Sequence, residues 1–321
     1  MKSRAGIFWL CAVSTVVGGL VLTKVLHNDY YFNALYVILQ DVIMAVAWNI
    51  LGGFTGYVNF GSAGFFAIGA YTTIFLDKYF GHVLPLPLLI AAAAVVCGLI
   101  GLAVGYLSLR LKGIYFAIAT LAMAIVLATL ISNWRYLGGA RGAYILTPAN
   151  HLWFHSYIQM LFMVMLLLAV AAVAISRAMA SSRLGRGLAA IRDDEIAAEC
   201  AGVPTLRLKL ISATVMGALM GVAGAPYPFF VTFVDPASAF SLFVAVNAIA
   251  MPMIGGTAHW IGPVIGALLV GTAQQAITVT VSSELNVLLV GVMLVVFITI
   301  APQGLVGLAR KLYDRRRRRG R

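Results

Sequence analysis

Of the ten acidic residues in this 321-residue chain, four stand within seven positions: Asp193, Asp194, Glu195 and Glu199. Arg177, Arg183, Arg186, Arg192, Arg207 and Lys209 surround them in SRAMASSRLGRGLAAIRDDEIAAECAGVPTLRLK, residues 176–209. Carboxylates and guanidinium groups at this density can pair with each other and with an opposing protein surface. Arg192 and Glu195, three positions apart on a helix, can pair directly. Catalysis has no comparable support. Cys11, Cys97 and Cys200 are scattered, with no CxxC, so neither a disulfide framework nor a metal site is indicated. His27, His82, His151, His155 and His259 show no metal-ligand spacing. His151 and His155 lie in NHLWFHSY, which reads as an aromatic loop at headgroup depth. No G-x-x-x-x-G-K-[ST] occurs, so the chain does not cradle a nucleotide, and nothing in it reads as an enzyme.

Two further groups of polar residues fall inside apolar sequence, where they are costly. Asp41, beside Gln40, lies mid-way along a long apolar run. It reads either as a proton carrier of a secondary transporter or as a protonated or paired packing residue. Asn49 and Asn59 flank a glycine-rich stretch and Ser62 follows it. A helix broken at mid-membrane offers backbone dipoles to a zwitterionic solute. The same amides can instead hydrogen-bond neighbouring helices.

The elements that must position these residues are membrane helices. The chain is 62% hydrophobic and 10% charged, with mean hydropathy +0.99, whereas soluble domains carry about 25% charged residues. Long unbroken apolar runs call for helices, not for a barrel. With about 20 apolar residues needed per crossing, candidate spans are 6–26, 33–51, 58–76, 86–109, 114–133, 157–176, 209–232, 241–254, 262–281 and 285–303. The expectation is an all-α polytopic integral membrane bundle of about eight to ten transmembrane helices, a single domain over residues 1–321. The start, MKSRAGIFWLCAVSTVVGGLVL, reads as a retained first span because no small-x-small cleavage site precedes Lys24.

Basic residues orient the spans. Lys2 and Arg4, Arg110 and Lys112, the loop 177–208 and the tail 310–321 all fall on one side, which the positive-inside rule makes cytoplasmic, both termini included. Arg135 and Arg141 fall on the outer side as exceptions. Eight of the 22 basic residues sit in that tail, so the net charge of +12 marks anionic lipid, not nucleic acid.

Glycine is concentrated at 51–70 (LGGFTGYVNFGSAGFFAIGA) and 254–271 (IGGTAHWIGPVIGALLVG), each a break followed by a helix with small residues one turn apart. Gly61, Gly64 and Ala67, and Gly262, Gly266 and Val270, permit close helix approach. The two segments also read as corresponding parts of an internal duplication, two halves of five spans. Between spans, Leu184, Leu188 and Ile191 recur at helical spacing and Ala198 extends the face, with Arg192, Asp193, Glu195 and Glu199 opposite. Gly202 and Pro204 supply a stop. This predicts one short amphipathic helix at the membrane surface, and its acidic cluster argues for a protein partner over anionic lipid.

NILGGFTGYVNFGSAGFFAIGAYTT (49–73), LRLKGIYFAIATLAMA (109–124), GRGLAAIRDDEIAAECAGVPTLRLKL (185–210), MGVAGAPYPFFVTFVDPASAF (220–240) and GGTAHWIGPVIGALL (255–269) together resemble the permeases of branched-chain amino acid ABC importers, the LivM-like subunit. Cys200, the run Thr257-Ala258-His259-Trp260 and the terminal arginines depart from that pattern. The resemblance implies an ABC importer permease fold in a bacterial cytoplasmic (inner) membrane, moving branched-chain amino acids or related small solutes. It implies a related permease subunit, two cytoplasmic ATP-binding subunits and a periplasmic or extracellular solute-binding protein as partners, with ATP and Mg held by the ATPases and no cofactor in this chain. The ATPase-coupling residues are then expected to be Arg186, Leu188, Ile191, Arg192, Asp193, Asp194, Glu195, Glu199 and Gly202. Asn49, Asn59, Ser62, Phe65 and Tyr71 are expected to border the translocation path. A proton-coupled secondary transporter using Asp41 and a non-transporting membrane scaffold are the alternatives.

Overall fold

A computed structural model describes residues 2–26, 28–145, 154–280, 285–301, 304–308 and 311. The loop containing His151 and nearly all of the basic tail lie outside the described residues. The chain runs through α1 (Lys2–Val25), α2 (Asp29–Thr55), α3 (Ser62–Tyr79), α4 (Leu86–Ser108) and α5 (Ile114–Asn133). Strand β1 (Ala143–Tyr144) and α6 (Tyr157–Ser181) follow, then α7 (Arg183–Asp193), α8 (Glu195–Cys200) and α9 (Thr205–Gly224). The chain continues as α10 (Tyr227–Val231), β2 (Phe233–Val234), α11 (Pro236–Ala239), α12 (Leu242–Gly255), α13 (Gly262–Thr280) and α14 (Leu285–Ile300). This is a polytopic helical membrane protein. Among the described residues seven stretches are long and apolar enough to cross a bilayer: α1 from Gly6, α2, α4, α5, α6, the run Thr205–Val231 and the run Pro236–Gly255. The other three expected spans are helices too: α3 of 18 residues, α13 with Gln274 and Gln275, and α14 of 16 residues.

The middle of the bundle is α2, buried along most of its length, with α6, α9, α12 and α13 around it. It begins on a side-chain cap, Asn28 accepting from Tyr30 N–H. It ends where Gly56 turns left-handed at φ 80°, a conformation that costs glycine little. Its 27 residues make a rod of about 40 Å, enough for a full crossing. By contrast α1 lies at the rim and exposes Ile7, Leu10, Val13 and Val17 to what would be lipid.

Helices α3, α4 and α9 cross so closely that glycine is required at the contacts. A Cβ on Gly221 would stand 2.6 Å from Cys97 and 2.8 Å from the Ala93 carbonyl. One on Gly101 would stand 2.6 Å from the Ala213 carbonyl, and Gly69 lies directly on Gly221. A second knot forms where α12 meets α13: Gly255 and Gly262 touch, Gly266 lies on the Met251 carbonyl, and Gly304 lies on Gly256. Such contacts let backbones approach and supply the dispersion energy that holds helices together in lipid.

Contacts sort the loops to two ends. Tyr57, Leu109, Glu195 and Lys209 meet at one end. Arg177 at the foot of α6 lies over the rings of Phe8 and Trp260, which brings the start of α1 and the loop between α12 and α13 to that same end. At the opposite end β1 pairs antiparallel with β2, Ala143 facing Val234.

Candidate functional site

The charged segment folds back against the bundle because two glycines let it. Gly185 lies against the Met179 and Ala180 carbonyls, and a Cβ on Gly187 would stand 2.5 Å from Leu208. Ser182 caps α7, accepting from Gly185 N–H at 3.3 Å. Leu188 and Ile191 are buried beneath α7, and Ala198 beneath α8. The single helix expected here is two. Asp194 takes an extended backbone between them and caps α8, its Oδ1 accepting from Ile196 N–H at 2.9 Å and Ala197 N–H at 3.0 Å. An aspartate between two helical turns is a better N-cap than a helical residue, and that preference breaks the run. Gly202 closes α8 at φ 81°, its N–H on the Glu199 carbonyl at 2.9 Å, in the manner of a left-handed helix stop.

Arg186, Asp193, Asp194, Glu199 and Gly202 are exposed on this helix pair. Ile196 is exposed beside them at 64%, an apolar side chain among charges. Arg192 and Glu195 do not pair with each other as their spacing allows. Arg192 bridges Asp193 at 3.6 Å, and its Nη1 donates to the Gly53 carbonyl at 3.5 Å. Glu195 turns inward: Lys209 Nζ donates to its Oε1 at 2.7 Å and Tyr57 Oη to its Oε2 at 2.5 Å. Lys209 is 3% exposed and donates also to Tyr57 Oη and the Leu109 carbonyl, each at 3.2 Å. The i to i+3 expectation fails because α8 starts a new helix axis at Glu195, so the geometry of one continuous helix no longer applies. Burial raises the Glu195 carboxyl, but hydrogen bonds from Lys209 and Tyr57 and the charges of Lys209 and Lys112 outweigh it, leaving a net value below the ordinary one.

Beyond Tyr57 the chain re-enters the bundle as a non-helical segment, 56–61, before α3 begins. Phe60 N–H donates to Thr120 Oγ1 at 3.2 Å. Thr120 is the seventh residue of α5, so α3 starts about 9 Å deeper than α5 does. Asn59 is fully engaged: its Oδ1 accepts from Gly61 N–H at 2.7 Å, its amide reaches Met216 Sδ at 3.1 Å, and its carbonyl accepts from Trp48 Nε1 at 2.8 Å. Asn49 and Ser62 are fully buried, and their side-chain polar atoms meet no hydrogen-bond partner among the described residues. Phe65 is wedged where α3, α4 and α9 cross, and the Tyr71 hydroxyl reaches the Val234 carbonyl at the opposite end, at 3.5 Å. All five expected path residues are therefore inside the bundle, spread along α2, the 56–61 break and α3. Asp41 is buried against α13, its Oδ2 3.4 Å from where a Cβ on Gly271 would be.

Tyr57 and Ile196 were not singled out by sequence, and Lys209 was named only as the end of the charged run. Lys209 stands at the first position of an apolar span and reads as a boundary, Tyr57 as one aromatic in a glycine-rich stretch. Ile196 was discernible as the apolar residue that breaks an acidic face. At the opposite end, Ser132, Asn133, Arg135, Gly138, Gly139, Ala140 and Arg141 line a surface hollow of about 470 Å³.

The model of the family described as "Branched-chain amino acid transport system / permease component" matches residues 30–298. The high-affinity branched-chain amino acid transport system permease protein LivM of Escherichia coli K12 is 29% identical over 298 residues, 84% of this chain and 68% of the relative. The protein of that name from Salmonella typhimurium gives the same figures. A probable branched-chain amino acid transport permease protein LivH of Methanocaldococcus jannaschii is 25% identical over 281 residues, 83% of this chain and 88% of the relative. Among solved structures, PsaBC from Streptococcus pneumoniae in complex with Fab aligns over 93% of this chain and 99% of that one at 15% identity, with a TM-score of 0.48.

Proposed function

We propose that this chain, which belongs to the family of branched-chain amino acid transport system permease components, imports leucine, isoleucine or valine across a bacterial cytoplasmic membrane. It works as one of two unlike permease subunits, over two ATP-hydrolysing subunits on the cytoplasmic side and beneath a solute-binding protein. The observation that carries this reading is the helix pair α7–α8, which stands at the basic end of an otherwise apolar bundle and turns charge outward. A chain without a nucleotide-cradling motif needs such a surface to receive force from one that has it. Arg186, Arg192, Asp193, Asp194, Glu199 and Gly202 form the surface offered to the ATPase, with Ile196 as its apolar contact. Leu188, Ile191 and Glu195 hold that surface to the bundle from below. Both termini then face the cytoplasm, and the whole chain acts as one transmembrane unit. The Arg135 and Arg141 hollow at the other end suits acidic side chains of the binding protein.

The path follows α2 and α3. Asn49 and Ser62 hold buried polar groups without partners among the described residues, and such groups gain when a zwitterion's ammonium or carboxylate passes. Asn59, Phe65 and Tyr71 mark its course toward the other end. Closure of the ATPases moves α7–α8, and the bundle passes between two states that expose the path to one side or the other.

The test is uptake of radiolabelled L-leucine into proteoliposomes holding this chain with its partner permease, ATPases and binding protein. Uptake is expected to need ATP and the ATPase subunits and to survive a protonophore. Uptake without ATPases, or its collapse with the protonophore, sinks the reading, and the latter outcome turns attention to Asp41.

A further inference from the structure

Lys209 has three N–H donors and no acceptor, and all three are used inside the protein: on Glu195, on the Tyr57 hydroxyl and on the Leu109 carbonyl. Tyr57 closes the ring by donating to the other Glu195 oxygen, and the ammonium also lies 4.7 Å from its ring centroid. The four partners come from α8, the 56–61 break, the end of α4 and the first turns of α9. A buried ion pair is weak evidence for stability, since apolar residues of similar size often do as well. Its better-attested use is to fix register between elements. Here the register fixed is that of α8 against the one non-helical segment leading into α3.

That segment has few other ways to move. Arg192 holds Gly53 at the last turn of α2, and a Cβ on Gly56 would lie 3.4 Å from Arg192 Cγ. Tyr57 packs edge-on against Phe116 at 5.2 Å. Two residues further on, Asn59 is tied to Trp48 and Met216, and Phe60 to Thr120. A displacement of α8 therefore reaches Tyr57 directly. From Tyr57 it passes along a short taut backbone to Asn59 and Ser62.

We infer that Glu195, Lys209 and Tyr57 form a latch that transmits the motion of α7–α8 to the glycine break at the mouth of α3, so that Lys209 and Tyr57 are positioning residues for transport. The inference rests on the permease reading above. It differs from a docking role in one respect: Lys209 and Tyr57 face inward, so their loss spares attachment of the ATPases and spoils only what attachment accomplishes.

The experiment compares wild type, Tyr57→Phe and Lys209→Met in the full complex, reconstituted with L-leucine as the solute. Three quantities are read: co-purification of the ATPase subunits, ATP hydrolysis, and leucine taken up per ATP hydrolysed. Tyr57→Phe removes one hydroxyl and keeps the ring on Phe116, so it decides the matter where Lys209→Met fails to insert. The expected result is intact co-purification and continued hydrolysis with uptake per ATP about tenfold lower, inside the usual range for coupling between two sites. Wild-type uptake per ATP in Tyr57→Phe overturns the latch. So does loss of the ATPase subunits from Tyr57→Phe, which assigns the cluster to docking. A wild-type complex that takes up no leucine overturns the permease reading itself, and the control lane separates that failure from the other two.

Discussion

Glu195 illustrates how a residue chosen for one role by its sequence neighbours is given another by its fold. It belongs to a run of acids that reads as an outward face, yet its carboxylate is the counter-charge of a lysine that is almost wholly buried. Removing one member of a buried pair strands the other, at a cost of about 3 kcal/mol. Glu195→Gln is therefore expected to lower the thermal midpoint of the purified protein, while Asp193→Asn, at a side chain 77% exposed, leaves it unchanged. The pH dependence follows from the lowered carboxyl. A carboxyl depressed on folding contributes its full stability above its unfolded value and loses it as pH falls through the folded one. The charged and titratable groups facing it are Lys209 on α9, Tyr57 in the break and Lys112 after α4, with Glu199 near Tyr57 on α8. The gap between wild type and Glu195→Gln is thus expected to stay constant from about pH 8 to about pH 5, and to close only in stronger acid. Midpoints measured across that series check it. A gap that narrows near neutral pH means that the carboxyl is not held low by Lys209.

At the level of elements the energy lies in backbone contact between helices. Gly221 has Cys97 and the Ala93 carbonyl on one side and Gly69 on another, so no side chain fits without moving a helix. Gly221→Val is expected to cost about 3 kcal/mol, the upper part of the usual range for overpacking. Gly18→Ala, on a stretch of α1 where a Cβ meets nothing within 4 Å, is expected to be neutral. Unfolding midpoints in detergent distinguish the two, and equal midpoints refute the tight crossing. The sequence carried much of this level. Apolar runs marked ten candidate spans; among the described residues a helix lies along each, and seven stretches are long and apolar enough to cross a bilayer. Gly61, Gly64, Gly262 and Gly266 were picked out as points of close approach, where they are found. Boundaries were missed where a local preference competes with hydropathy. The span written as 58–76 begins at Ser62 because the half-buried segment before it draws its hydrogen bonds from Trp48, Thr120 and Asn59's own side chain. The span written as 209–232 is α9, a turn at Ala225 and Pro226, and α10, because proline lacks the N–H a helix interior needs. The inward turn of Glu195 was illegible for a different reason. Its partners are 14 and 138 positions away, and only the packing of α8 on α9 brings them together.

The whole molecule sorts its chemistry by end, and three native cysteines report on that sorting. Cys200 is exposed on α8, at the end where Phe8, Arg177, Trp260, Lys209 and the two glycine breaks gather. Cys97 is buried where α4 meets α9, its thiol on the Phe65 carbonyl. Cys11 is exposed, but on α1 within the apolar stretch that begins at Gly6. Lipid covers that surface in a membrane, and a charged reagent does not enter lipid. Reaction with a maleimide needs both thiolate and access, and only Cys200 has access from water. A membrane-impermeant maleimide is therefore expected to label one site per chain, in inverted vesicles and not in intact spheroplasts. The Cys200→Ser variant is expected to lose that label. Assembly with the ATPase subunits is expected to slow the labelling, because Cys200 adjoins Glu199 on the face assigned to them. Labelling from the outer side contradicts the assigned orientation. Labelling from the inner side at a rate the ATPases do not change contradicts the assigned docking face while leaving the orientation standing.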